Sequence, residues 1–120
     1  MRTPAFVLVA LALAGAVACG STTAPSNLCA PTGAAVTINA NDNLTFSPDS
    51  VSISAAQAVC FQNAGSIQHF VIGSDTDSVH ILRSDLSAGV TYLHTFTAAG
   101  RFPYHCRIHG LSMSGVIKVN

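Results

Sequence analysis

Short apolar runs separated by turn residues constrain the fold of this chain more than any other feature. From residue 34 onward apolar and polar side chains alternate within each run, and the breaks carry Asn-Asp-Asn, Ser-Pro-Asp, Asn-Ala-Gly and Ala-Ala-Gly. Strands at a spacing of about 8–12 residues with turn signals between them are typical of an antiparallel sandwich or barrel. No window of helical length in this part of the chain shows an i, i+3, i+4 apolar stripe, so an all-β fold is expected. The predicted strands span residues 36–38, 44–46, 51–53, 58–61, 70–72, 79–82, 90–96, 101–106 and 116–119.

The first 18 residues have the pattern of a secretory signal. A single positive charge precedes an uninterrupted apolar run over residues 5–18, which is too short for a membrane span of about 20 residues. The run ends Ala16-Val17-Ala18-Cys19, which resembles the lipobox of bacterial lipoproteins. That resemblance implies cleavage before Cys19 and lipidation of its thiol; an ordinary cleaved signal, with Cys19 lost or unmodified, is the alternative. Small polar residues follow without periodicity, so residues 19–33 are predicted to be the lipid-anchor cysteine and a flexible tether.

The remaining length and charge bound the domain and its partners. Cleavage after residue 18 of 120 leaves 102 residues, which suffice for one domain with one core, here residues 34–120. This part of the chain has four Lys and Arg, five Asp and no Glu, so its net charge is near −1 without a basic cluster. A nucleic-acid partner is therefore not expected.

The four cysteines leave one thiol to be explained. If Cys19 carries lipid, then Cys29, Cys60 and Cys106 remain in an oxidising compartment, and an odd count indicates a thiol held by something else. A Cys29–Cys60 disulfide is favoured, because both residues lie in ordinary strand or strand-start contexts. Closing their loop would contribute roughly 3–4 kcal/mol of stability. Other pairings stay open, and a Cys60–Cys106 bridge would remove the metal site considered next.

A thiol, an imidazole and a thioether lie within eight residues near the C-terminus, in Cys106-Arg-Ile-His109-Gly-Leu-Ser-Met113. Sulfur and imidazole donors suit copper, and two His, one Cys and a weak Met form the ligand set of electron-transfer copper. His69, which follows the Asn-Ala-Gly turn, is well placed to supply the second imidazole. A bound metal would also protect Cys106 from oxidation.

Residues 34–120 resemble a plastocyanin-type cupredoxin. The resemblance implies a single-domain Greek-key β-sandwich with one type 1 copper ion at one end. It also implies that His69, Cys106 and His109 are equatorial ligands and that Met113 is the weak axial one. Backbone N–H groups near His69 or in the Cys106–His109 loop are the expected donors to the sulfur. The motifs that carry the resemblance are Phe46-Ser-Pro48, Phe61-Gln-Asn63-Ala-Gly65-Ser-Ile-Gln-His69, Tyr92-x-His-x-Phe96, Gly100-x-Phe-x-Tyr104-x-Cys106 and Cys106-x-x-His109-x-x-x-Met113.

Departures from the family pattern concern the surroundings of the ligands. Ile108 stands where plastocyanins commonly have Pro, Phe70 where they have Asn, and the His-to-Met spacing is one residue shorter. These changes bear on the redox potential and on the length of the axial Met113 bond, and not on copper binding. The other histidines are not expected to bind metal: His105 alternates with Cys106 along a strand and should face the opposite way, and His94 fits a core or rim position.

The leading functional hypothesis is a lipid-tethered copper protein that carries single electrons outside the cytoplasm, in the periplasm or at the cell surface. Its expected partners are redox proteins, a cytochrome or a membrane electron-transfer complex, bound transiently by a monomer. A copper-binding or delivery lipoprotein without electron transfer is the alternative, and a metal-free sandwich in adhesion or assembly is a third. Enzyme activity is not expected, because the chain shows no Ser/His/Asp constellation or carboxylate pair and has no Glu.

Overall fold

The computed structural model describes residues 27–76, 78–79 and 82–120. In these residues the chain forms nine β-strands and one short 3₁₀ turn, Ala30–Thr32, so the all-β prediction is confirmed. Within the same ranges no helix is long and apolar enough to cross a membrane. The strands are β1 Val36–Asn41, β2 Thr45–Ser47, β3 Ser50–Ile53, β4 Ala58–Gln62, β5 His69–Gly73, β6 Arg83–Leu86, β7 Thr91–Thr95, β8 Gly100–Cys106 and β9 Gly110–Val119.

Two sheets enclose a single core. One sheet has the strand order β2-β1-β4-β7, and the other has the order β3-β9-β8-β5-β6. Most neighbours are antiparallel, but β1 pairs with β4 and β3 pairs with β9 in parallel. The predicted sandwich is confirmed, but these two pairings are parallel and not antiparallel. The strands of each pair are separated along the chain by crossings between the two sheets and are not joined by a hairpin.

The buried rows of the two sheets meet in an aromatic centre. Phe46, Phe61 and Tyr104 are buried, and Tyr104 meets the other two rings edge to face with centroid distances of 5.0 and 5.1 Å. Such ring pairs stabilise a core beyond their area burial. Along β8 burial alternates with the strand period of two, so Phe102, Tyr104 and Cys106 all face inward. The strand that builds the core therefore delivers Cys106 to one end of it.

A disulfide joins the start of the described chain to the centre of one sheet. Cys29 and Cys60 are buried and bonded, with a Cα–Cα distance of 6.0 Å. The backbone N–H of Cys29 also donates to the Gln62 side chain at 3.2 Å. The folded unit thus begins upstream of residue 34. The predicted signal segment and Cys19 lie outside the described residues, and their roles stay predictions.

One predicted strand was misplaced. Residues 79–82 were expected to be extended, but Val79 lies in a turn and the strand in this region is Arg83–Leu86. The Asp75 carboxylate accepts hydrogen bonds from the N–H and hydroxyl of Ser78, both at 2.7 Å, and Leu82 N–H donates to the Ser78 carbonyl at 2.8 Å. The turn is thus stabilised by side-chain hydrogen bonding that competes with strand pairing. The true strand is a polar sheet edge that buries only its last residue, so it carries no apolar alternation.

Candidate metal centre

Cys106 lies at the end of β8 with its side chain inside the sandwich. It is completely buried and is the one unpaired cysteine among the described residues. The pairing of β8 with β9 becomes irregular between His105 and Cys106, and Cys106 is opposite Gly110. This irregularity closes a tight loop, residues 107–109, directly after the thiol. Gly110 has φ 80°, in the left-handed region that glycine adopts without a Cβ penalty.

His69 reaches the thiol from the neighbouring strand. It begins β5, which pairs with β8 so that Val71 is opposite Cys106. The side chain is completely buried, and its Nδ1 lies 4.0 Å from the Cys106 sulfur. Its Nε2 makes no hydrogen bond to the described part of the protein. The Asn41 carbonyl is near enough to raise the pKa of the ring, but it is not in hydrogen-bonding geometry with Nε2.

The pKa of His69 is lowered, first by burial and then by the nearby His109, while the Asp42 charge and the Asn41 carbonyl oppose the shift. Burial in a low-dielectric interior disfavours the charged imidazolium. The ring is therefore held in the neutral form, which is the form that binds metal ions.

His109 and Met113 complete the group from the C-terminal side. His109 Nδ1 lies 3.3 Å from the Cys106 sulfur, and its ring is partly exposed. The His69 and His109 ring centroids are 5.1 Å apart, with 64° between the ring planes. The Nδ1 atoms of both rings lie within 4.0 Å of the same sulfur. Met113 lies on β9, is completely buried and belongs to the same buried cluster as Cys106.

In the described ranges, this is the one cluster of three or more His, Cys, Asp or Glu side chains that could hold a metal ion. Its three donor atoms, from His69, Cys106 and His109, all lie within 4.8 Å of one another. The structure therefore brings together the side chains that the sequence selects for copper.

The backbone around Phe70 links the two segments that carry the donors. Phe70 N–H donates to the Cys106 sulfur at 3.4 Å, and Arg107 N–H donates to the Phe70 carbonyl at 3.0 Å. The Arg107 guanidinium also lies over the Phe70 ring, 5.5 Å from its centroid. The donor to the sulfur is thus an amide next to His69, one of the two places expected from the sequence.

The other described histidines lie away from the cluster. His105 faces the opposite side of β8 from Cys106, and its Nδ1 is 2.8 Å from the Ser74 hydroxyl. His94 is half-buried against Phe96, with ring centroids 4.7 Å apart, as expected for a core or rim position. His80 lies outside the described residues.

One residue near the site escaped prediction. Asp42 belongs to the Asn-Asp-Asn break, which predicts only a turn, yet its carboxylate contacts Ser66 and Ile67, more than 20 residues further along the chain. Its position directly after a strand was the only local signal, and many turn aspartates share it. Long-range contacts of this kind follow from the sheet order and not from the local sequence.

Comparison with known proteins agrees with this geometry. Residues 32–120 match the model of the copper binding proteins of the plastocyanin/azurin family. The chain is 30% identical over 89 residues to plastocyanin from Solanum tuberosum, an alignment that covers 65% of this chain and 90% of that protein.

Two solved structures have a similar fold. A novel purple cupredoxin from Nitrosopumilus maritimus superposes with a TM-score of 0.64 at 23% identity, over 71% of this chain and 99% of that one. The Cu-containing nitrite reductase from Thermus scotoductus gives a TM-score of 0.63 at 27% identity, over 71% of this chain but only 22% of the enzyme. With the family model covering the whole sandwich and the donor cluster at its end, the chain belongs to the plastocyanin/azurin family of copper-binding proteins.

Proposed function

We propose that this protein is a mononuclear type 1 copper electron carrier that shuttles single electrons at an extracytoplasmic membrane surface. The observation that carries the proposal is the buried Cys106 sulfur with imidazole nitrogens at 3.3 and 4.0 Å and a backbone amide at 3.4 Å. Family membership and the similarity to plastocyanin support the same function.

The chemistry of the donor side chains fits copper. A thiol, two imidazoles and a thioether are soft or borderline donors, and no described carboxylate joins the cluster, so the set favours copper over magnesium or calcium. His69, Cys106 and His109 would hold the ion, with Met113 as the weak fourth ligand. Bound there, copper supplies a reversible one-electron change between Cu(I) and Cu(II).

The protein fold preorganises the metal site. Three neighbouring strands of one sheet, β5, β8 and β9, and the short loop between β8 and β9 fix the donors. Phe70 N–H donates to the sulfur. A donor to a thiolate withdraws charge from it and thereby favours the reduced state. Because the surroundings are packed core, little needs to move when one electron arrives or leaves.

The partly exposed ring of His109 gives the electron a path between the metal site and the protein surface. Around it lie exposed apolar side chains on the same loop and the next strand: Ile108 is 51% exposed and Leu111 is 70% exposed. We infer that this face docks redox proteins, such as a cytochrome or a membrane electron-transfer complex. With a net charge near −1 in the domain, long-range steering is weak and the complex is transient.

Carrier function is also favoured over catalysis and over metal delivery. The nitrite reductase similarity covers about a fifth of that enzyme, so it concerns one domain of a larger assembly. Delivery proteins must release their ion, whereas Cys106, His69 and Met113 are completely buried here. The membrane anchor at Cys19 and the periplasmic or cell-surface location rest on the signal sequence alone.

Redox cycling of the copper-loaded domain tests the proposal. Repeated reduction by ascorbate and reoxidation by ferricyanide should change the oxidation state completely while the copper content stays at one per chain. His69→Gln should abolish the reversible cycle. The matched control is His105→Gln, because His105 faces the other side of the sheet and should leave the cycle intact. Loss of copper during each reduction would contradict the carrier function and favour delivery.

A further inference from the structure

We propose that Asp42 is a positioning residue for His69, acting through the loop that presents it. This presenting loop comprises residues 63–68, between β4 and β5. The inference rests on the proposed copper site only for its functional meaning, because the contacts themselves lie within the protein.

The Asp42 carboxylate holds the outer side of the presenting loop. It accepts hydrogen bonds from Ser66 N–H at 3.0 and 3.1 Å, from the Ser66 hydroxyl at 3.1 Å and from Ile67 N–H at 3.0 Å. The pKa of Asp42 is lowered, chiefly by the Ile67 N–H bond, so the carboxylate is ionised at neutral pH. Hydrogen bonds to a charged acceptor are stronger than those between neutral groups.

Gly65 makes this close approach possible. A Cβ at position 65 would overlap the Asp42 carboxylate, whereas the glycine leaves room for it. The loop sequence is therefore matched to an acidic side chain supplied from the end of β1.

Asn63 holds the same loop from inside the sandwich. It is completely buried, and its Nδ2 donates to the Ile67 carbonyl at 2.7 Å and to the Leu86 carbonyl at 2.8 Å. Its Oδ1 accepts Gly65 N–H at 3.0 Å. Ile67 is thus fixed from two sides, with its N–H bound by Asp42 and its carbonyl bound by Asn63.

The hydrogen bonds of Asp42 and Asn63 to Ile67 lie two residues before His69, on the backbone that leads into it. Metal-binding histidines are usually oriented by a hydrogen bond from their second ring nitrogen. His69 Nε2 has no such bond to the described residues, so the ring is oriented by its backbone and by packing. The Asp42 contacts hold the backbone that sets the direction of this ring.

Asp42→Asn tests the inference, because it keeps the shape but removes the charge and turns one acceptor into a donor. In the metal-free protein, we expect hydrogen exchange at the Ser66 and Ile67 amides to accelerate about tenfold or more. The NMR signals of the His69 ring should shift or broaden. In the copper-loaded protein, the affinity should fall about tenfold and the EPR parameters of Cu(II) should change.

Two further variants distinguish the effect of the Asp42 contacts from that of losing one negative charge, and urea unfolding tests whether each variant is folded. Asp49→Asn also removes one negative charge but leaves the presenting loop untouched, so it should behave as the wild type in every readout. Gly65→Ala keeps the carboxylate but displaces the loop, so it should reproduce the ring and EPR changes of Asp42→Asn. Urea unfolding of each metal-free variant shows that it is folded in the conditions used.

The outcomes are distinct. Unchanged amide exchange or unchanged His69 ring signals in Asp42→Asn would overturn the inference, whatever copper does. Equal copper affinity and EPR spectra in Asp42→Asn and Asp49→Asn would also overturn it. If wild-type protein failed to bind copper while the metal-free changes occurred, the proposed function would fall and the positioning role of Asp42 would stand.

Discussion

Removal of the Cys29–Cys60 disulfide, by Cys29→Ala together with Cys60→Ala, should destabilise the fold without altering the metal centre. Both sulfurs are buried, and the bond joins residues 31 apart in sequence. Replacing both residues avoids a new thiol that could exchange with Cys106. The bond lies on the sheet that does not carry the donor cluster.

The loop length sets the magnitude. In the chain-entropy model, closing a loop of about this size removes roughly 12 cal/mol/K of entropy from the unfolded chain, or about 3.7 kcal/mol at 25 °C. For a domain of this size, each kcal/mol corresponds to about 4–8 °C in the melting temperature. The double variant should therefore melt about 15–30 °C lower than the wild type.

Urea unfolding of the metal-free proteins measures the difference. The free energy of unfolding should fall by about 3–4 kcal/mol, and the slope with urea should rise because the uncrosslinked chain exposes more surface. Wild-type protein unfolded in the presence of a reductant is the matched control, since its side-chain volumes are unchanged. A loss below about 1 kcal/mol would refute the reasoning, as would an altered spectrum of the copper-loaded variant.

Phe70→Pro removes the amide that donates to the Cys106 sulfur and should lower the reduction potential by roughly 40 mV, while Phe70→Leu keeps the amide and should not; voltammetry measures both. Gly115→Ala places a Cβ against the Tyr104 hydroxyl and should cost about 1–3 kcal/mol in urea unfolding; an unchanged midpoint would contradict the packing. Burial lowers the pKa of His94 from 6.5, so the unfolded chain binds a proton first as the pH falls. The copper-loaded protein should then lose stability below about pH 6.5, and His94→Gln should lose less; parallel pH profiles would contradict this.

The fold class was predictable because local patterns determine it. Alternation along β8 places Phe102, Tyr104 and Cys106 on one face, and the turn residues mark the strand ends. The exception was the strand Arg83–Leu86. A polar sheet edge buries little, so its identity depends on pairing with β5, which a local pattern does not contain.

The donor cluster was predictable for a related reason, since Cys106, His109 and Met113 lie within eight residues of sequence at a fixed spacing. The hydrogen bonds around the cluster were harder to predict from the sequence. The amide of Phe70 could be anticipated from its place beside His69, but the contact between Asp42 and Ser66 depends on how β1 and the presenting loop meet. Only the folded chain brings residues 24 positions apart into contact.

The most direct test of the account is the spectrum of the wild-type domain titrated with Cu(II). We expect an intense visible thiolate-to-copper absorption that saturates at one copper per chain, with the narrow EPR hyperfine splitting of a type 1 centre. Cys106→Ser should lose the band, because the buried sulfur is its source. A colourless adduct with an ordinary Cu(II) EPR spectrum, or a band that survives Cys106→Ser, would contradict the central claim that this sulfur binds copper.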